Sequence, residues 1–590
     1  MTVPGTPVPS PVPPDWPHCA LGADSADPVG CRGRRVEPYT RCLAHLAGPD
    51  RTAYLASLAP GNDLDHRGTV LTPELLDGLV NKIRDPTTNR PRMGAVDFSE
   101  ATFTGDAGFK NAIFTSRAWF DGATFAGAAS FNRVTFSGIT GFRNVTFTGR
   151  AGFENVIFTD RALFGGVTFS GAALFSRVTF SGDAEFRIAT FAGRAGFENV
   201  IFTERTFFGG ATFAGAARFF SATFEAAPQL GPLVCKEALD LSGAVFNAPV
   251  SIEAAAAYLV CRRTRWASTG SLRLRYATVD LSDAVVEHPL RVTSHSSAPI
   301  GIRGRALDES LLTERDAGVR IVSLSGIDAT HLVLTDIDLA GCLFTGTVHL
   351  DQLNLDGRCT FARAPAGFHW QGRRLLRWTP RRTLAEEHHW RAARGAAGWM
   401  AEPDGAESAG PEVLATVYRQ LRKSLEDGKN EPDAADFYYG EMEMRRHDQD
   451  RPWAERALLA VYWAASGYGL RASRAIGWLL AAMTITLLAL MLWGLPKDGP
   501  KPESTGQLTG QRITLTTDTP DLDNPDGPLP ERITSERFDK ALRIVIDSVV
   551  FRSSGQGLTN AGAYTEMASR ITEPVLLGLV VLAVRGRVKR

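Results

Sequence analysis

The sequence predicts a mainly β fold, a four-walled β-helix, followed by an α-helical hairpin and two transmembrane helices. Phenylalanine recurs from Phe98 to Phe224 with gaps that alternate between five and six. Neither an α-helix nor an ordinary strand has this period, so each gap is expected to be one short wall of a solenoid. The pattern becomes helical after about residue 383, and two apolar segments follow near the carboxyl end.

Small residues stand two positions before nearly every Phe, as in Ala101-Thr-Phe103 and Ala112-Ile-Phe114. In a strand these two positions share one face, so both side chains are expected to point into a single core. The segment 149–159 recurs unchanged at 193–203, which corresponds to two turns if each turn has four walls of alternating length. The predicted structural core contains Phe98, Phe103, Phe109, Phe114, Phe120, Phe125, Phe131, Phe136, Phe142, Phe147, Phe153 and Phe158.

Glycine usually accompanies the extra residue of the longer walls. A bulged corner with a positive φ angle would favour glycine, because glycine adopts that conformation without steric cost. We therefore expect positive φ angles at Gly105, Gly127, Gly138, Gly149, Gly171, Gly182, Gly193 and Gly215.

These repeats resemble the pentapeptide-repeat family, in which a central Phe or Leu follows a small residue two positions earlier. The resemblance implies a right-handed, four-sided β-helix whose central Phe rings stack from coil to coil. The whole arrangement, with Phe437-Tyr-Tyr-Gly-Glu-Met442 in its helical region, is similar to the large membrane-anchored pentapeptide-repeat proteins of actinobacteria. The family's fold is therefore expected here, while no settled biochemical role comes with it.

Other well-known members of this family bind DNA gyrase by imitating duplex DNA, which requires a strongly acidic rod. Between Phe98 and Phe224 the sequence has 9 acidic and 11 basic side chains, and the whole chain has a formal net charge of zero. A near-neutral rod imitates a polyanion poorly, and it also lacks the positive field that attracts one. A gyrase-binding DNA mimic is therefore the less favoured alternative, and no nucleic-acid partner is expected.

Weaker repeats continue after the Phe series. Gaps of five and six between aliphatic residues recur within 239–252, 279–292 and 322–355. The sequence thus predicts a Phe-centred β-helix over residues 91–228 and a degenerate, aliphatic solenoid segment over 229–365. We expect loops at 253–271 and 295–318, where the spacing is lost.

Residues 1–90 are predicted to be a Pro-rich tail and a small Cys/His module. Cys19, Cys31, Cys42 and His45 follow the spacing C-x11-C-x10-C-x2-H. Three thiolates and one imidazole can form a tetrahedral zinc site, and the C-x2-H half has a usual ligand spacing. Three buried thiols without a metal are the alternative. No other cofactor is expected.

Residues 383–470 are predicted to form a cytosolic α-helical region. Two amphipathic stretches, 411–427 and 432–446, flank the stop signal Gly428-Lys-Asn430 and predict a helical hairpin. A third stretch, 453–468, is apolar enough to lie at a membrane surface.

Residues 475–495 contain no charged side chain and are long enough to cross a bilayer. The second predicted span, 564–585, carries Glu566, Arg570 and Glu573 on one helical face, which would have to meet a partner helix or the interface. Residues 496–563 would then be an extracytoplasmic loop and 586–590 a basic cytoplasmic tail.

Basic residues flank the two predicted spans unevenly. They are Arg445, Arg446, Arg451, Arg456, Arg471 and Arg474 before the first span, and Arg585, Arg587, Lys589 and Arg590 after the second. The positive-inside rule therefore predicts a multi-pass protein of the cytoplasmic membrane with both termini in the cytoplasm. Formation of a homo-oligomer through the membrane helices, or pairing with the first span, would shelter the polar face.

The sequence favours a protein that is not an enzyme. It contains no Walker lysine loop, no G-x-S-x-G elbow and no H-E-x-x-H motif. The first hypothesis is a membrane-anchored scaffold that presents a cytosolic β-helix to an unidentified protein partner.

The alternative is a two-transmembrane channel-like or sensor protein with a cytosolic β-helix. A short helix at 538–551 and the turn Ser554-Gly-Gln-Gly557 lie between the spans, as in channels of that topology. The turn lacks the T-V-G-Y-G sequence of a selectivity filter, so this similarity is one of topology alone.

Overall fold

The computed structural model describes residues 12–301, 304–371, 374–401, 409–497, 503–509, 512–518, 522–523 and 527–588. The chain forms two compact units, Met1–Ala409 and Gly410–Arg590. The first unit is a parallel β-solenoid and the second is mainly helical, so the predicted fold class is confirmed.

Four walls of two-residue strands build the solenoid. Wall 1 contains Val96–Asp97, Ala118–Trp119, Thr140–Gly141, Ala162–Leu163, Ala184–Glu185 and Thr206–Phe207. Wall 2 contains Thr102–Phe103, Thr124–Phe125, Thr146–Phe147, Thr168–Phe169, Thr190–Phe191 and Thr212–Phe213. Wall 3 contains Ala107–Gly108, Ala129–Ser130, Ala151–Gly152, Ala173–Leu174, Ala195–Gly196 and Ala217–Arg218. Wall 4 contains Arg92–Met93, Ile113–Phe114, Thr135–Phe136, Ile157–Phe158, Thr179–Phe180, Ile201–Phe202, Thr223–Phe224, Val245–Phe246, Arg265–Trp266 and Val285–Val286.

Each strand pairs in parallel with the strand one coil away. Thr146 lies opposite Thr168 and Phe147 opposite Phe169, so one coil consists of four walls, as the alternating gaps predict. Because this register is maintained, every sequence position in one coil lies directly beneath its counterpart in the next. The central Phe side chains are consequently stacked, and each one from Phe98 to Phe224 is at most 1% exposed.

The structure corrects the predicted reason for the corner glycines. None of the eight has a positive φ angle; the left-handed residues lie at the opposite kind of corner, at positions such as Asn111, Asn144 and Gly166. The glycines are needed because successive corners approach each other closely. A Cβ on Gly171 would lie 2.5 Å from the carbonyl oxygen of Gly149, and a Cβ on Gly193 would lie 2.7 Å from that of Gly171.

Longer strands continue the solenoid after Phe224. They are Gln229–Asp240, Val250–Val260, Gly270–Arg275, Thr278–Asp280, Leu290–Ser294, Arg320–Ser323, Leu332–Thr335 and Asn354–Asp356. The prediction of a loop at 253–271 was wrong, because Val250–Val260 is a continuous strand in which Ala254, Ala255, Ala256 and Ala257 are all buried. In the regular coils a corner separates two successive walls. Here the small alanine side chains allow one continuous strand to pass the position of that corner.

The predicted loop at 295–318 does lack strands in its described part, and it contains the short 3₁₀ helix Ser310–Leu312. Leu312 packs against Val234, Ala255 and Ala257. The loop therefore covers the long strands instead of standing free. Two further 3₁₀ turns in this half of the solenoid are Ala329–His331 and Leu350–Gln352.

Helix α1 (Gly48–Ser57) and helix α2 (Pro73–Lys82) precede the Phe series. The strand Leu64–Asp65 pairs with Val96–Asp97, and Val70–Leu71 pairs with Thr102–Phe103, so parallel stacking begins in this region. His66 lies beneath Phe98, with ring centroids 6.0 Å apart, and is fully buried. The imidazole thus occupies a central position of the first coil.

Helix α3 (Ala385–Ala393) closes the other end of the solenoid. The Glu386 carboxylate accepts hydrogen bonds from the backbone N–H groups of Phe344 and Thr345. The antiparallel pairs Ala362–Arg363 with Arg382–Thr383 and Phe368–Gln371 with Arg374–Arg377 lie in the same segment.

The second unit contains helices α4 (Pro411–Asp427), α5 (Glu431–His447), α6 (Trp453–Ser466), α7 (Ala472–Ala489), α8 (Ser535–Val549) and α9 (Asn560–Val588). Helices α4 and α5 form the predicted hairpin, and α7 continues into a π-type turn at Leu490–Gly494. The strands Glu503–Thr509 and Arg512–Asp518 pair in an antiparallel ribbon, and Leu529–Arg532 is a 3₁₀ turn.

Candidate functional site

The structure brings Cys19, Cys31, Cys42 and His45 together. Their ligand atoms all lie within 4.8 Å of one another, although up to 26 positions separate the four residues in the sequence. The Sγ atoms of Cys31 and Cys42 are 3.8 Å apart. The Nδ1 atom of His45 lies 3.6 Å from Sγ of Cys19 and 3.4 Å from Sγ of Cys42.

These separations fit one tetrahedral ion. Metal–sulfur bonds of about 2.3 Å and metal–nitrogen bonds of about 2.0–2.1 Å place tetrahedral S···S pairs about 3.8 Å and S···N pairs about 3.6 Å apart. All seven cysteines are free thiols. The cluster could therefore hold a metal ion, and its four protein ligands would fill a tetrahedral coordination shell.

Local backbone structure positions the four ligands. Cys42 and His45 are joined by the 3₁₀ turn Leu43–His45, in which the His45 N–H donates to the Cys42 carbonyl oxygen at 2.9 Å. Positions three apart in a 3₁₀ turn lie above each other, so both side chains point the same way. Cys19 is held opposite by its N–H, which donates to the Gly33 carbonyl oxygen at 2.8 Å.

Gly33 leaves the space that the Cys42 thiol fills. A Cβ on Gly33 would lie 2.9 Å from the Sγ atom of Cys42. The hydrogen bond between Cys31 and Cys42 lowers the pKa of Cys31 to about 5. This shift favours the thiolate of Cys31, which is the form that binds a metal ion.

Wall 4 of the solenoid carries an outward row of β-branched side chains. Ile113, Thr135, Ile157, Thr179, Ile201 and Thr223 occupy equivalent positions in consecutive coils. Ile157 is 44% exposed and Ile201 is 43% exposed. We call these six residues the isoleucine row; its in-register strands make it straight, with steps of about 4.8 Å.

A smaller apolar patch lies on wall 1, at residues that the repeat pattern does not single out. The Trp119 ring lies across Gly141 of the next coil. The contact is so close that a Cβ on Gly141 would clash with the ring. Leu163 follows in the coil beyond and is buried. The glycine at an outward position of this wall was the sequence signal for the contact.

Two described helical segments are long and apolar enough to cross a membrane, Ala472–Gly494 and Asn560–Arg585. Only 22% and 17% of the residues in their apolar windows are buried within the chain. The core helix of a soluble protein would bury most of such a surface. The bounds are close to the predicted spans 475–495 and 564–585.

The two segments pack closely at one end. A Cβ on Gly562 would clash with the carbonyl oxygen of Gly494, so only glycine fits there. The Arg537 guanidinium of α8 donates to the carbonyl oxygens of Met491, Leu495 and Pro496 at 2.7–3.0 Å. Arg537 thereby satisfies acceptors that the end of the first segment leaves unpaired.

The polar face predicted for the second segment turns toward the chain itself. Glu566 accepts a hydrogen bond from the Ser554 N–H at 3.0 Å, and Arg570 lies 4.0 Å from Glu566. Glu573 is fully buried. The charged side chains are thus sheltered from the exposed apolar face that contains Met567, Ile571 and Val575.

Comparison with known families identifies the repeats. Residues 93–135 and 131–179 match the family model for pentapeptide repeats, in nine copies. Residues 93–179 of the β-solenoid therefore consist of pentapeptide repeats. No curated protein and no solved structure matched the chain.

Proposed function

We propose that this protein is a membrane-anchored, non-enzymatic scaffold whose solenoid binds a protein partner through the isoleucine row. Each coil fixes its neighbours through parallel backbone pairing and stacked Phe rings, so the walls are rigid surfaces. A rigid surface loses little conformational entropy when it binds a partner, so its contacts contribute more of their free energy to affinity.

The isoleucine row is the observation that carries this proposal. Isolated exposed apolar side chains are normal on soluble proteins, whereas in this row an isoleucine recurs on every second coil, at a fixed spacing on a flat wall, with a threonine between. Ile113 and Ile201 are four coil steps apart, a length of about 19 Å at the spacing of paired strands. The near balance of charge on the solenoid favours a protein partner over a nucleic acid.

Site-specific photocrosslinking in living cells tests the scaffold proposal. A photoreactive residue at Thr179, between Ile157 and Ile201, should give a discrete protein adduct that mass spectrometry identifies. The matched control replaces Thr168, the equivalent outward residue of wall 2, and should not give that adduct. The double variant Ile157→Asn, Ile201→Asn should weaken the Thr179 adduct at unchanged expression.

Two results would overturn the partner surface. Equal yields of the adduct from Thr179 and Thr168 would mean that crosslinking reports random collisions and not binding to wall 4. An adduct at Thr179 that survives the double variant would mean that the isoleucine row does not contribute to binding.

We further propose that both apolar segments span the cytoplasmic membrane with the solenoid and both termini in the cytoplasm. The flanking arginines and the small buried fraction of the two segments support this arrangement. A partner of the solenoid would then be a cytosolic protein.

We also infer that the Cys19, Cys31, Cys42 and His45 cluster binds Zn²⁺ with a structural role. Sulfur and imidazole ligands in tetrahedral geometry are the preferred environment of zinc, and four protein ligands leave no open position for catalysis. The metal would join Cys19 and Cys31 to the turn Leu43–His45. Metal analysis of the purified protein tests this inference.

A further inference from the structure

A pocket lies where α5 ends and α6 begins. It has a volume of about 420 Å³ and is lined by Arg446, His447, Trp453, Arg456, Ala457 and Ala460. This volume is within the range of about 300–1,000 Å³ that is typical of small-ligand sites. Two guanidinium groups and one indole ring at the same opening suggest an anionic ligand with an apolar part.

Arg456 is the unneutralised charge of the pocket. Its Nε atom is buried and has no hydrogen-bond partner within the described parts of the chain. No carboxylate of those residues forms an ion pair with its guanidinium. A buried donor without a partner is costly, so the site is complete only when an acceptor enters it.

Nearby carboxylates are already engaged by other groups. Glu443 accepts from Arg446 at 2.7 Å through one oxygen and from the Tyr468 hydroxyl at 3.0 Å through the other. Arg451 binds Asp448 at 3.2 Å and Glu455 at 2.5 Å. The local acidic groups therefore leave the positive charge of Arg456 uncompensated.

One face of α6 is apolar and exposed beside this pocket. Trp453, Leu458 and Val461 are 80%, 67% and 68% exposed, and the exposed Ala457 lies between them on the same helical face. The opposite face is buried, since Leu459 packs with Tyr439 and Met442 of α5. The exposed face of α6 therefore does not pack against the α4–α5 hairpin.

The position of α6 in the chain indicates which surface covers that face. Helix α6 ends at Ser466, and the first candidate membrane segment begins at Ala472. A helix this close to a span lies at the bilayer boundary, where Trp side chains are enriched and arginines meet lipid phosphates. A soluble acidic protein would explain the charge of the pocket but not the apolar face that continues toward the span.

We propose that the pocket binds the phosphate headgroup of an anionic phospholipid while the exposed face of α6 lies in the bilayer interface. Arg456 and Arg446 donate to the phosphate oxygens, and Trp453 and Ala457 contact the glycerol and the start of an acyl chain. The inference rests on the proposed membrane insertion and adds a lipid preference to it. The site would hold α6 flat on the leaflet that surrounds the first span.

Native mass spectrometry of the full-length protein in detergent tests this preference. Equimolar phosphatidylglycerol and phosphatidylcholine are added, and the ratio of retained lipids is measured. We expect one phosphatidylglycerol to be retained preferentially, and Arg456→Gln to lower that preference about fivefold. Arg456→Lys keeps the charge and should retain most of the preference.

Lys429→Gln is the control for a loss of charge. Lys429 lies in the turn at the far end of α5, about 25 Å from Arg446 along the helix. This variant should bind lipid as the unaltered protein does. Circular dichroism spectra that match the unaltered protein establish that each variant is folded.

Several outcomes would overturn the lipid site. An unchanged ratio in folded Arg456→Gln would remove Arg456 from binding. Arg456→Lys that binds no better than Arg456→Gln would mean that charge is not what the site recognises. Displacement of the lipid by millimolar inorganic phosphate would identify a soluble phosphate site instead.

Extraction of cell membranes with carbonate separates this proposal from the membrane proposal. Release of the protein without detergent would mean that the chain does not span the bilayer, and both proposals would fall. Retention in the membrane without any phosphatidylglycerol preference would leave the anchor intact and overturn the headgroup site alone.

Discussion

The rings of Phe153 and Phe175 are stacked 3° from parallel, with centroids 4.8 Å apart, although a full coil of sequence separates them. This distance equals the spacing of paired strands, so the backbone register dictates the ring separation. Stacked and edge-to-face contacts between aromatic rings are both favourable at centroid separations of about 4.5–7 Å, provided that stacked rings are offset. Phe153 also meets Phe142 and Phe164 edge to face, at 87°, so each ring combines stacking along the solenoid with edge contacts across its core.

We expect Phe153→Ala to lower the free energy of unfolding by about 3–5 kcal/mol, because it opens a cavity between three layers of rings. Thr168→Ala, at an outward position of wall 2, should change it by less than about 0.5 kcal/mol. Pulse proteolysis of the full chain across a urea series measures both. Equal losses would contradict the central role of the Phe column.

Gly171→Ala should destabilise the solenoid by about 1–3 kcal/mol, because its Cβ would meet the Gly149 carbonyl oxygen at 2.5 Å. Gly165 is the matched control, since a Cβ there has only one neighbour, at 3.9 Å. The same proteolysis assay compares the two variants. If Gly165→Ala were the more harmful change, close corner stacking would not be the reason for glycine.

These corners also show what sequence could and could not predict. The period of Phe predicted walls, register and core, because each follows from one repeated spacing. The sequence also shows that glycine is required at these corners. The reason is the close approach of successive coils, which the conformational preference of a single residue cannot predict. A positive φ angle was therefore the wrong explanation for a correctly chosen set of residues.

Elsewhere the repeated spacing was too weak a signal. The sequence predicts a loop from residue 253 onward, inside the strand Val250–Val260, because alanines replace the large core residues that mark each wall. His66 takes a central position that no repeat predicts, since a single polar residue before the Phe series has no spacing to identify it. The residue types and the C-x2-H spacing predict the Cys/His cluster. The approach of Cys19 to His45 depends on the fold of the whole module, which the spacing does not predict.

Burial of His66 should make the stability of the first coil depend on pH. Burial lowers the pKa of His66 from 6.5 to about 4, against a smaller opposing effect of the Asp65 charge. The neutral folded form is fully favoured above pH 6.5. As the pH falls from 6.5 toward 4, the unfolded chain takes up a proton that the folded chain does not, so stability decreases.

His66→Phe should remove this part of the pH dependence, because Phe can stack on Phe98 without titrating. We expect the unaltered protein to lose up to about 3 kcal/mol more than the variant between pH 6.5 and 4. Urea unfolding followed by pulse proteolysis at several pH values measures the difference. Parallel pH profiles for the two proteins would show that His66 does not titrate in this window.

Purified full-length protein should contain about one equivalent of zinc, because the four ligand atoms lie within 4.8 Å of one another and three of their separations match one tetrahedral ion. Cys42→Ser should lose the metal and expose the N-terminal module to proteolysis, since metal binding is coupled to folding. Cys359→Ser removes a thiol outside the cluster and should keep the metal. Zinc retained in Cys42→Ser, or absent from the unaltered protein, would contradict the site.

The direction of the membrane segments determines which compartment can supply a partner, and labelling of an introduced cysteine measures it. The cluster cysteines are kept and the other four cysteines are replaced by serine, and labelling is compared with the same protein without an introduced cysteine. Ser504→Cys should react with a membrane-impermeant maleimide in intact cells, because residues 496–563 are expected outside. A cysteine appended after Arg590 should react only once the cells are opened. Labelling of the appended cysteine in intact cells would mean that Asn560–Arg585 does not return the chain to the cytoplasm. The positive-inside argument would then fail at its second span, and the channel-like alternative, which needs two spans, would fail with it.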